Sequence, residues 1–453
     1  MKREWRQRYH KRSGRFGRVM IAMSAIMVTA AAEPAAVTME SAMHEVLAWH
    51  PSVVQATATV EARDEDVAVA RAGYLPRISA GVGSGYDNRI GSAWRPRPQV
   101  SASQMLYDFG KVASAVESAR AGTRIGRADL LLAVDGLIRD TGFALVEVQR
   151  NAALRGIAME QLGRIREISA LVDKRFGKGA TTRSDTLQAQ SRVAAAEATL
   201  TRIEAEQRRW TTSLAFLLGR ETAPMVDPAV PDWLMASCTR ATTVEWADIP
   251  AIMRARAQYE QASAESRRVH AARLPTIALA GDAATDVASP FSDRSLYNFG
   301  LNVSSDVFGG NAVRARARSA EYGVRAAQAA EQAARNEVGQ SLAATQQQIA
   351  GLSQLLGTLA ERQENMVETG KLYRLQYLDM GTRTLVDLLN AEQELQQARF
   401  DAVNTNHDLR RLAIECLYYS GRARDDFGLT GTAIRGVTLL AAPPRPIRSR
   451  GST

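Results

Sequence analysis

Residues 297–307, Tyr-Asn-Phe-Gly-Leu-Asn-Val-Ser-Ser-Asp-Val, alternate between apolar and polar side chains over most of their length. Successive side chains of a β-strand point to opposite faces, so this alternation predicts a strand with one apolar face and one wet face. A similar alternation begins at Ile78, and polar loops at 87–98 and 286–294 are typical of hairpin tips. The sequence therefore predicts four strands arranged in two β-hairpins.

Long helix-forming stretches follow both hairpins. Residues 111–176 and 311–377 contain no proline and are rich in helix-forming residues. At about 1.5 Å per residue, each predicted helix is on the order of 100 Å long. Apolar residues recur every seven positions from Leu388 to Cys416, a pattern typical of helices that wind around other helices. Each long helix is expected to turn at a Gly-Thr-rich segment and to return as a second helix, which makes a helical hairpin.

The two halves of the chain repeat each other. Leu75-Pro76 returns 199 residues later as Leu274-Pro275, and Gly219-Arg220 returns 202 residues later as Gly421-Arg422. So many landmarks in register indicate a tandem duplication. The three-residue difference between the two offsets is expected to lie inside one long helix.

The predicted domain organisation follows this duplication. It consists of a signal peptide (1–32), a first repeat (33–219, with a β-hairpin at about 76–109 and a helical hairpin at 111–219), an inter-repeat linker (220–248), a second repeat (249–426, with a β-hairpin at about 275–308 and a helical hairpin at 311–422) and a disordered tail (427–453).

The N-terminus predicts export from the cytoplasm. A basic stretch precedes the apolar run 19–28, and small residues follow at 30–32, which is the layout of a cleavable secretory signal. The alternative, an N-terminal anchor, needs roughly 20 apolar residues. Residues 1–32 hold eight basic side chains and one acidic one, so they carry seven of the nine net positive charges and nucleic acid is not expected as a partner.

Only two cysteines are present, Cys238 and Cys416. An exported protein can form a disulfide, but two cysteines in a chain of this length are not a disulfide framework. Because Cys416 falls on the apolar heptad line, a buried free thiol is favoured over a bridge, and both alternatives remain open.

Four strands are too few to close a barrel. Open strand edges in lipid would leave backbone groups unpaired, at several kcal/mol each, and transmembrane barrels begin at about eight strands. No later segment of the sequence predicts a membrane-spanning helix. Several copies of the chain are therefore expected to contribute strands to one barrel, and their long helices to surround one lumen.

The sequence resembles the TolC family of outer-membrane factors from about residue 40 to residue 427. The resemblance rests on the duplicated order of elements, on the run Gln-Met-Leu-Tyr-Asp-Phe-Gly at 104–110, and on the run Gly-Thr-Arg-Thr-Leu-Val-Asp-Leu-Leu at 381–389. It implies a fold that is mostly α with transmembrane β, in which a homotrimer forms a twelve-stranded outer-membrane barrel in lipid and a helical tunnel through the periplasm. It also implies a periplasmic adaptor and an inner-membrane ABC or RND transporter as partners.

The same resemblance implies which residues form the periplasmic aperture. These predicted aperture residues are Asp387, Arg383, Ser184, Asp185 and Asn390. Three copies of Asp387 are expected to form an acidic ring that binds cations and slows anions. Arg383 is expected to hold the closed state through Ser184 or Asp185, and Asn390 stands where the family has a second acid. Because Leu378 stands where the family has a latch tyrosine, a gate with fewer latches is expected.

A simpler interpretation competes for both acids. Asp185 and Asp387 each lie three residues after a threonine, which is the spacing of a capping box that stabilises a helix start. The turns Gly179-Ala180-Thr181 and Gly381-Thr382 are predicted to contact the adaptor, although glycine in a helix-ending turn explains them too.

Catalysis is not expected. The five histidines are scattered without metal-ligand spacing, and no phosphate-binding loop is present, so neither a metal nor a cofactor is predicted. The run 107–110 resembles type I secretion members of the family most, and multidrug or small-molecule efflux is the alternative. A periplasmic coiled-coil adaptor or a structural coiled coil remains as a function of a different class.

Overall fold

The computed structural model of the chain describes residues 36–85, 95–238, 245–285, 296–305, 310–434 and 437–438. The predicted signal peptide, most of both predicted hairpin tips and the last part of the predicted tail lie outside the described residues.

The two repeats contain nearly the same order of elements. The first repeat comprises α1 (Met39–Trp49), α2 (Pro51–Arg71), β1 (Arg77–Gly85), β2 (Arg95–Tyr107), α3 (Lys111–Gly177) and α4 (Arg183–Leu218). A short helix, α5 (Asp232–Ala236), lies between the repeats. The second repeat comprises α6 (Pro250–Ala271), β3 (Thr276–Ala284), β4 (Leu296–Ser304), α7 (Ala312–Leu375) and α8 (Leu385–Ser420). The short elements α9 (Ala423–Asp426), β5 (Ala433–Ile434) and β6 (Val437–Thr438) follow.

The four long strands form one antiparallel sheet in the order β1-β2-β3-β4. The central pairing joins the two repeats and places Ser103 opposite Ala280. On β4, Phe299 and Leu301 are 83% and 63% exposed, so none of the described residues covers this apolar face. Among the described strands, β1 and β4 each pair on one side only, which leaves an open backbone edge at both ends of the sheet.

The long helices α3 and α7 are single rods of 67 and 64 residues. Each is preceded by a glycine with positive φ, Gly110 at +90° and Gly310 at +64°, which lets the chain turn from strand into helix. The helices that return from the tips, α4 and α8, end at Gly219 and Gly421, again with positive φ. Among the described residues, none of the helices combines the length and the hydropathy that a membrane crossing requires.

Two of the three extra residues of the second repeat lie before α7 and not inside the helix as predicted, and the third lies between the start of α7 and Gly381. α2 and α6 begin at Pro51 and Pro250, 199 residues apart, whereas α3 and α7 begin at Lys111 and Ala312, 201 residues apart. An insertion inside a packed helix would rotate every later side chain by about 100° per residue, and an insertion before the helix avoids this.

The largest apolar cluster lies where α1 packs between the middle of α3 and the ends of α4 and α8. Met43, Val46, Ile138, Leu145 and Ile414 are among its most completely buried members, each at most 1% exposed. Burial of such side chains stabilises a fold by about 1.5–3 kcal/mol each, and this cluster therefore joins both repeats into one body.

The start of the predicted disordered tail belongs to this folded body, which corrects the predicted boundary at 427. Phe427 and Leu429 are 3% and 2% exposed and belong to the main apolar cluster. The ring of Phe427 meets the ring of Trp233 edge to face, with centroids 5.0 Å apart. The prediction of disorder rested on the prolines of the later tail, Pro443, Pro444 and Pro446, which say nothing about these two apolar anchors.

Cys238 and Cys416 form a disulfide, so the preference for free thiols was wrong. Their burial was expected, and they are 6% and 1% exposed. The bridge forms because the inter-repeat segment packs on the end of α8, where Leu234 is fully buried. A spacing of 178 residues in sequence gives no sign of this approach.

Replacing Gly219 by alanine is expected to destabilise the protein by about 2–4 kcal/mol. Its φ is +69°, and an added Cβ would lie 2.5 Å from the Trp49 ring. The melting temperature measures this loss. Gly163→Ala is the matched control, because an added Cβ meets no atom within 4 Å there and alanine favours a helix. Equal melting temperatures for the two variants would contradict the expectation.

Candidate functional site

The turns of the two helical hairpins lie side by side at one end of the molecule. An apolar cluster joins them, with Ile168 and Val172 of α3 packed against Leu385 and Leu388 of α8. The predicted aperture residues are therefore held on two hairpins that pack directly against each other.

The first turn is built by Gly179, Thr182 and Asp185. Gly179 has φ +73°, and the N–H of Ala180 donates to the Arg175 carbonyl at 2.8 Å, which closes the end of α3. Thr182 caps α4 while the Asp185 carboxylate accepts from the Thr182 N–H at 3.1 Å and from the Thr181 hydroxyl. This is the capping box expected from the sequence.

The second turn has the same kind of capping box as the first, but the helix before it ends differently. A five-residue π-helical segment, Gln376–Met380, leads to Gly381 at φ +62°. Thr384 caps α8, and the Asp387 carboxylate accepts from the Thr384 N–H at 3.2 Å. Single π turns occur frequently at functional sites in helical proteins. The two turns therefore differ in backbone although their capping residues match.

Both capping acids are charged at neutral pH. The pKa of Asp185 is lowered by hydrogen bonds from the Thr181 hydroxyl and from the Thr182 backbone. The pKa of Asp387 is lowered by the Thr384 backbone N–H, by the Thr384 hydroxyl and, more weakly, by the Arg383 charge. The capping role and a charge that faces water are compatible, because the second carboxylate oxygen remains free to meet solvent.

Arg383 does not reach Ser184 or Asp185 within the chain. Its Nε donates to the Gln376 Oε1 at 3.2 Å, and its guanidinium lies 4.5 Å from the centroid of the Tyr373 ring. The Ser184 hydroxyl instead lies 2.7 Å from the Thr182 hydroxyl. The predicted closed-state contact of Arg383 with Ser184 or Asp185 of a neighbouring hairpin stays a prediction.

Asn390 takes part in a contact between the two hairpins. Arg192 on α4 donates to the Asn390 Oδ1 at 3.3 Å and also to the Gln393 side chain. An acid at position 390 would face this arginine, so its charge would be neutralised in part. Because position 390 is an asparagine, Asp387 is the only charged residue at the two positions, 387 and 390, where the family has acids.

The sequence interpretation missed the side chain that joins the hairpin ends. Tyr377, one position before Leu378, is only 6% exposed and belongs to the cluster between the hairpins. The Arg175 guanidinium lies 4.9 Å from its ring centroid and donates to the Tyr377 carbonyl at 3.1 Å. Burial raises the pKa of the Tyr377 phenol. Leu378 still stands where the family has its latch tyrosine, and the expected gate with fewer latches stays a prediction.

The tips also present apolar side chains to solvent. Five large ones near the turns are between 40% and 60% exposed: Phe176, Leu187, Leu375, Met380 and Val386. Exposed apolar groups beside polar turns are typical of surfaces that bind another protein. The predicted contact turns Gly179-Ala180-Thr181 and Gly381-Thr382 lie among them. The described residues contain no cluster of three or more His, Cys, Asp or Glu side chains that could hold a metal ion.

Comparisons with known proteins cover most of the chain. A family model described as "Outer membrane efflux protein" matches residues 42–220 and 247–414. The outer membrane efflux protein BepC of Brucella suis biovar 1 (strain 1330) is 22% identical over 385 residues, covering 82% of this chain and 83% of BepC.

Solved structures with the same fold include two bacterial membrane proteins. A membrane protein from Pseudomonas aeruginosa matches with a TM-score of 0.76 and 18% identity, over 84% of this chain and 90% of that one. The outer membrane protein VceC from Vibrio cholerae matches with a TM-score of 0.74 and 17% identity, over 84% of this chain and 96% of that one.

Proposed function

Because the chain belongs to the outer membrane efflux protein family, we propose that three copies form one export channel whose periplasmic aperture selects ions through Asp387. The chain is an outer-membrane efflux channel of the tripartite type, extends into the periplasm and is not an enzyme. The expected fold class, mostly α with transmembrane β, is confirmed.

The open sheet supports the proposed trimer. The described part of one chain supplies a four-stranded sheet with a free backbone edge at each end, and those edges need partners in lipid. Three copies supply twelve strands, in which each β4 meets the β1 of the next copy. A C3 arrangement closes this head-to-tail contact into a ring.

Asp387 carries the selectivity proposal. It is the charged capping acid at the second turn, it is partly exposed to water, and Arg383 is turned towards Gln376 and Tyr373 instead of pairing with it. Three such carboxylates around one axis would concentrate cations and repel anions. Asp185 is bound by two threonines at the first turn, and a gating role for it, for Ser184 and for Arg383 depends on contacts between copies.

Asp387→Asn is expected to lower the cation-over-anion permeability ratio several-fold and to weaken block by multivalent cations in planar bilayers. Asparagine keeps an oxygen that accepts from the Thr384 N–H, so the cap persists while the charge is removed. Asp185→Asn is the matched control and should change selectivity less. Unchanged selectivity and unchanged cation block in Asp387→Asn would eliminate the acidic ring.

We assign the adaptor contact to the hairpin tips. The exposed apolar side chains beside Gly179 and Gly381 supply a binding surface, and the turn residues Ala180, Thr181 and Thr382 supply its rim. An inner-membrane transporter, ABC or RND, would act through this adaptor. A photo-reactive side chain at Met380 should cross-link to the adaptor, and one at Trp49, far from the tips, should not.

Two classes of cargo are candidates for this channel: secreted proteins and small molecules. Type I protein secretion rests on the run 107–110, but the structure gives that run a structural task. Asp108 accepts from the N–H groups of Gly110 and Val112 at 2.9 and 2.6 Å, which fixes the junction between β2 and α3. Efflux is favoured by the similarity to BepC, an outer membrane efflux protein. Deletion of the gene separates them: loss of an exported protein indicates secretion, and increased drug sensitivity alone indicates efflux.

A further inference from the structure

Two helices near the sheet present faces that no described residue covers. In the half of the molecule next to the sheet, α2 packs on α3, α3 packs on α6, and α6 packs on α7. The helices α2 and α7 are therefore the outer members of this row. Because a closed wall of helices requires each outer helix to meet a neighbour, their uncovered faces are the candidates for contact between copies.

The uncovered face of α2 is acidic. Residues 51–71 contain four acidic and two basic side chains, and Val69 is 73% exposed on the side away from α3. Glu61 and Glu65, one helical turn apart, are exposed and form no ion pair with any described residue. Like charges at this spacing repel each other along a helix, and an opposite charge from a partner would relieve that repulsion.

The uncovered face of α7 is basic. Residues 312–330 contain four arginines and one acid. Arg318 and Arg325 are exposed and form no ion pair with any described residue, and Arg325 lies over Tyr322, itself 63% exposed, with 5.8 Å to the ring centroid. The two uncovered faces are thus opposite in charge.

The duplication provides an observed template for the missing contact. Within one chain, α3 and α6 are joined by an ion pair between the Arg124 Nε and the Glu260 Oε2 at 2.7 Å. Arg325 lies 201 residues after Arg124, the same offset that separates the starts of α3 and α7. Glu61 lies 199 residues before Glu260, the offset between α2 and α6. Both partners of the pair therefore exist a second time, on the two uncovered helices.

A glycine of the template interface is duplicated as well. Gly122 on α3 lies close to α6, where an added Cβ would be 3.6 Å from the Gln261 side chain. Gly323 stands 201 residues later on α7, and Ala62 stands 199 residues before Gln261 on α2. The pair of small residues would let α7 of one copy approach α2 of the next as closely as α3 approaches α6.

We infer that Arg325 of one copy pairs with Glu61 of the next copy, in a seam between α7 and α2 that repeats the α3–α6 interface. Arg318 and Glu65 extend the seam, since their template positions, Glu117 and Ala264, line one cavity between α3 and α6. The inference rests on the proposed function, because only a ring of copies brings α7 and α2 together. In this seam, the charges of Glu61 and Arg325 determine which faces of two copies meet and in which register.

Chemical cross-linking tests the contact directly in the full-length, detergent-extracted protein. Glu61→Cys/Arg325→Cys treated with a bis-maleimide should give covalent dimers and trimers that survive boiling in SDS. Arg124→Cys/Glu260→Cys is the matched control and should link within one chain, without covalent oligomers. The two native cysteines are bridged and offer no competing thiol.

Charge reversal tests the seam independently of cross-linking. Glu61→Arg and Arg325→Glu should each lower the temperature at which the oligomer dissociates in SDS, and the double variant should recover most of that loss. High salt should shrink the differences, because exposed ion pairs are screened. If the wild type is oligomeric without boiling, but Glu61→Cys/Arg325→Cys gives no covalent dimers and the charge-reversed double variant shows no recovery, the seam alone would be overturned. A wild-type protein that is monomeric without boiling would overturn the proposed trimer, and the seam with it.

Discussion

Leu301→Arg is expected to abolish stable insertion into the outer membrane. Leu301 is 63% exposed on the apolar face of β4, near the middle of the strand and opposite Leu279 of β3. An arginine on the lipid face near the bilayer midplane costs about 2–4 kcal/mol, and three copies bring the cost to about 6–12 kcal/mol per barrel. This is comparable to the whole stability of an ordinary folded domain.

The amount of heat-modifiable oligomer in the outer-membrane fraction measures this effect. Asn302→Arg is the matched control, because the neighbouring side chain points to the opposite, wet face of the same strand. It should insert and assemble nearly as the wild type does. If the two variants lost the oligomer equally, the assignment of the apolar face to lipid would be wrong.

Removal of the disulfide has the second largest expected effect. Cys238→Ser/Cys416→Ser should lower the free energy of unfolding by about 2–5 kcal/mol, since the bridge closes a loop of 178 residues and restricts the unfolded chain. The double variant is used so that no single thiol remains to form bridges between molecules. The bridge also holds the inter-repeat segment on α8, and its loss should expose that segment to proteolysis first.

Melting with and without reductant isolates the contribution of the bridge. Reductant should lower the melting temperature of the wild type to that of the double variant and should leave the double variant unchanged. Alkylation of the unfolded wild type without reductant should modify no cysteine. A wild type that melts identically under both conditions would show that the bridge contributes nothing.

Periodicity explains why so much of the fold could be predicted. The two-residue alternation around Leu301 reflects a face in contact with lipid, and the absence of proline in 111–176 reflects one uninterrupted helix. The capping boxes at Thr182 and Thr384 were readable because their hydrogen bonds connect residues three positions apart. Features of this kind depend on residues that are close together in sequence, so they can be predicted from it.

Contacts between distant segments could not be read in this way. The bridge between Cys238 and Cys416, the burial of Tyr377 between the hairpins and the return of Phe427 to the main cluster each depend on how separate helices pack. One signal was nevertheless available: Glu61 and Arg325 repeat Glu260 and Arg124 at the two duplication offsets. Only the observed pair between Arg124 and Glu260 gives that repetition a physical meaning.

The number of chains in the purified particle tests the central claim most directly, namely that one chain holds too few strands for a pore and that three copies complete it. Native mass spectrometry of the detergent-extracted protein should give a mass of three chains, and circular dichroism should show β signal beside the dominant helix. A stable single chain in water, without detergent and without β signal, would contradict the account.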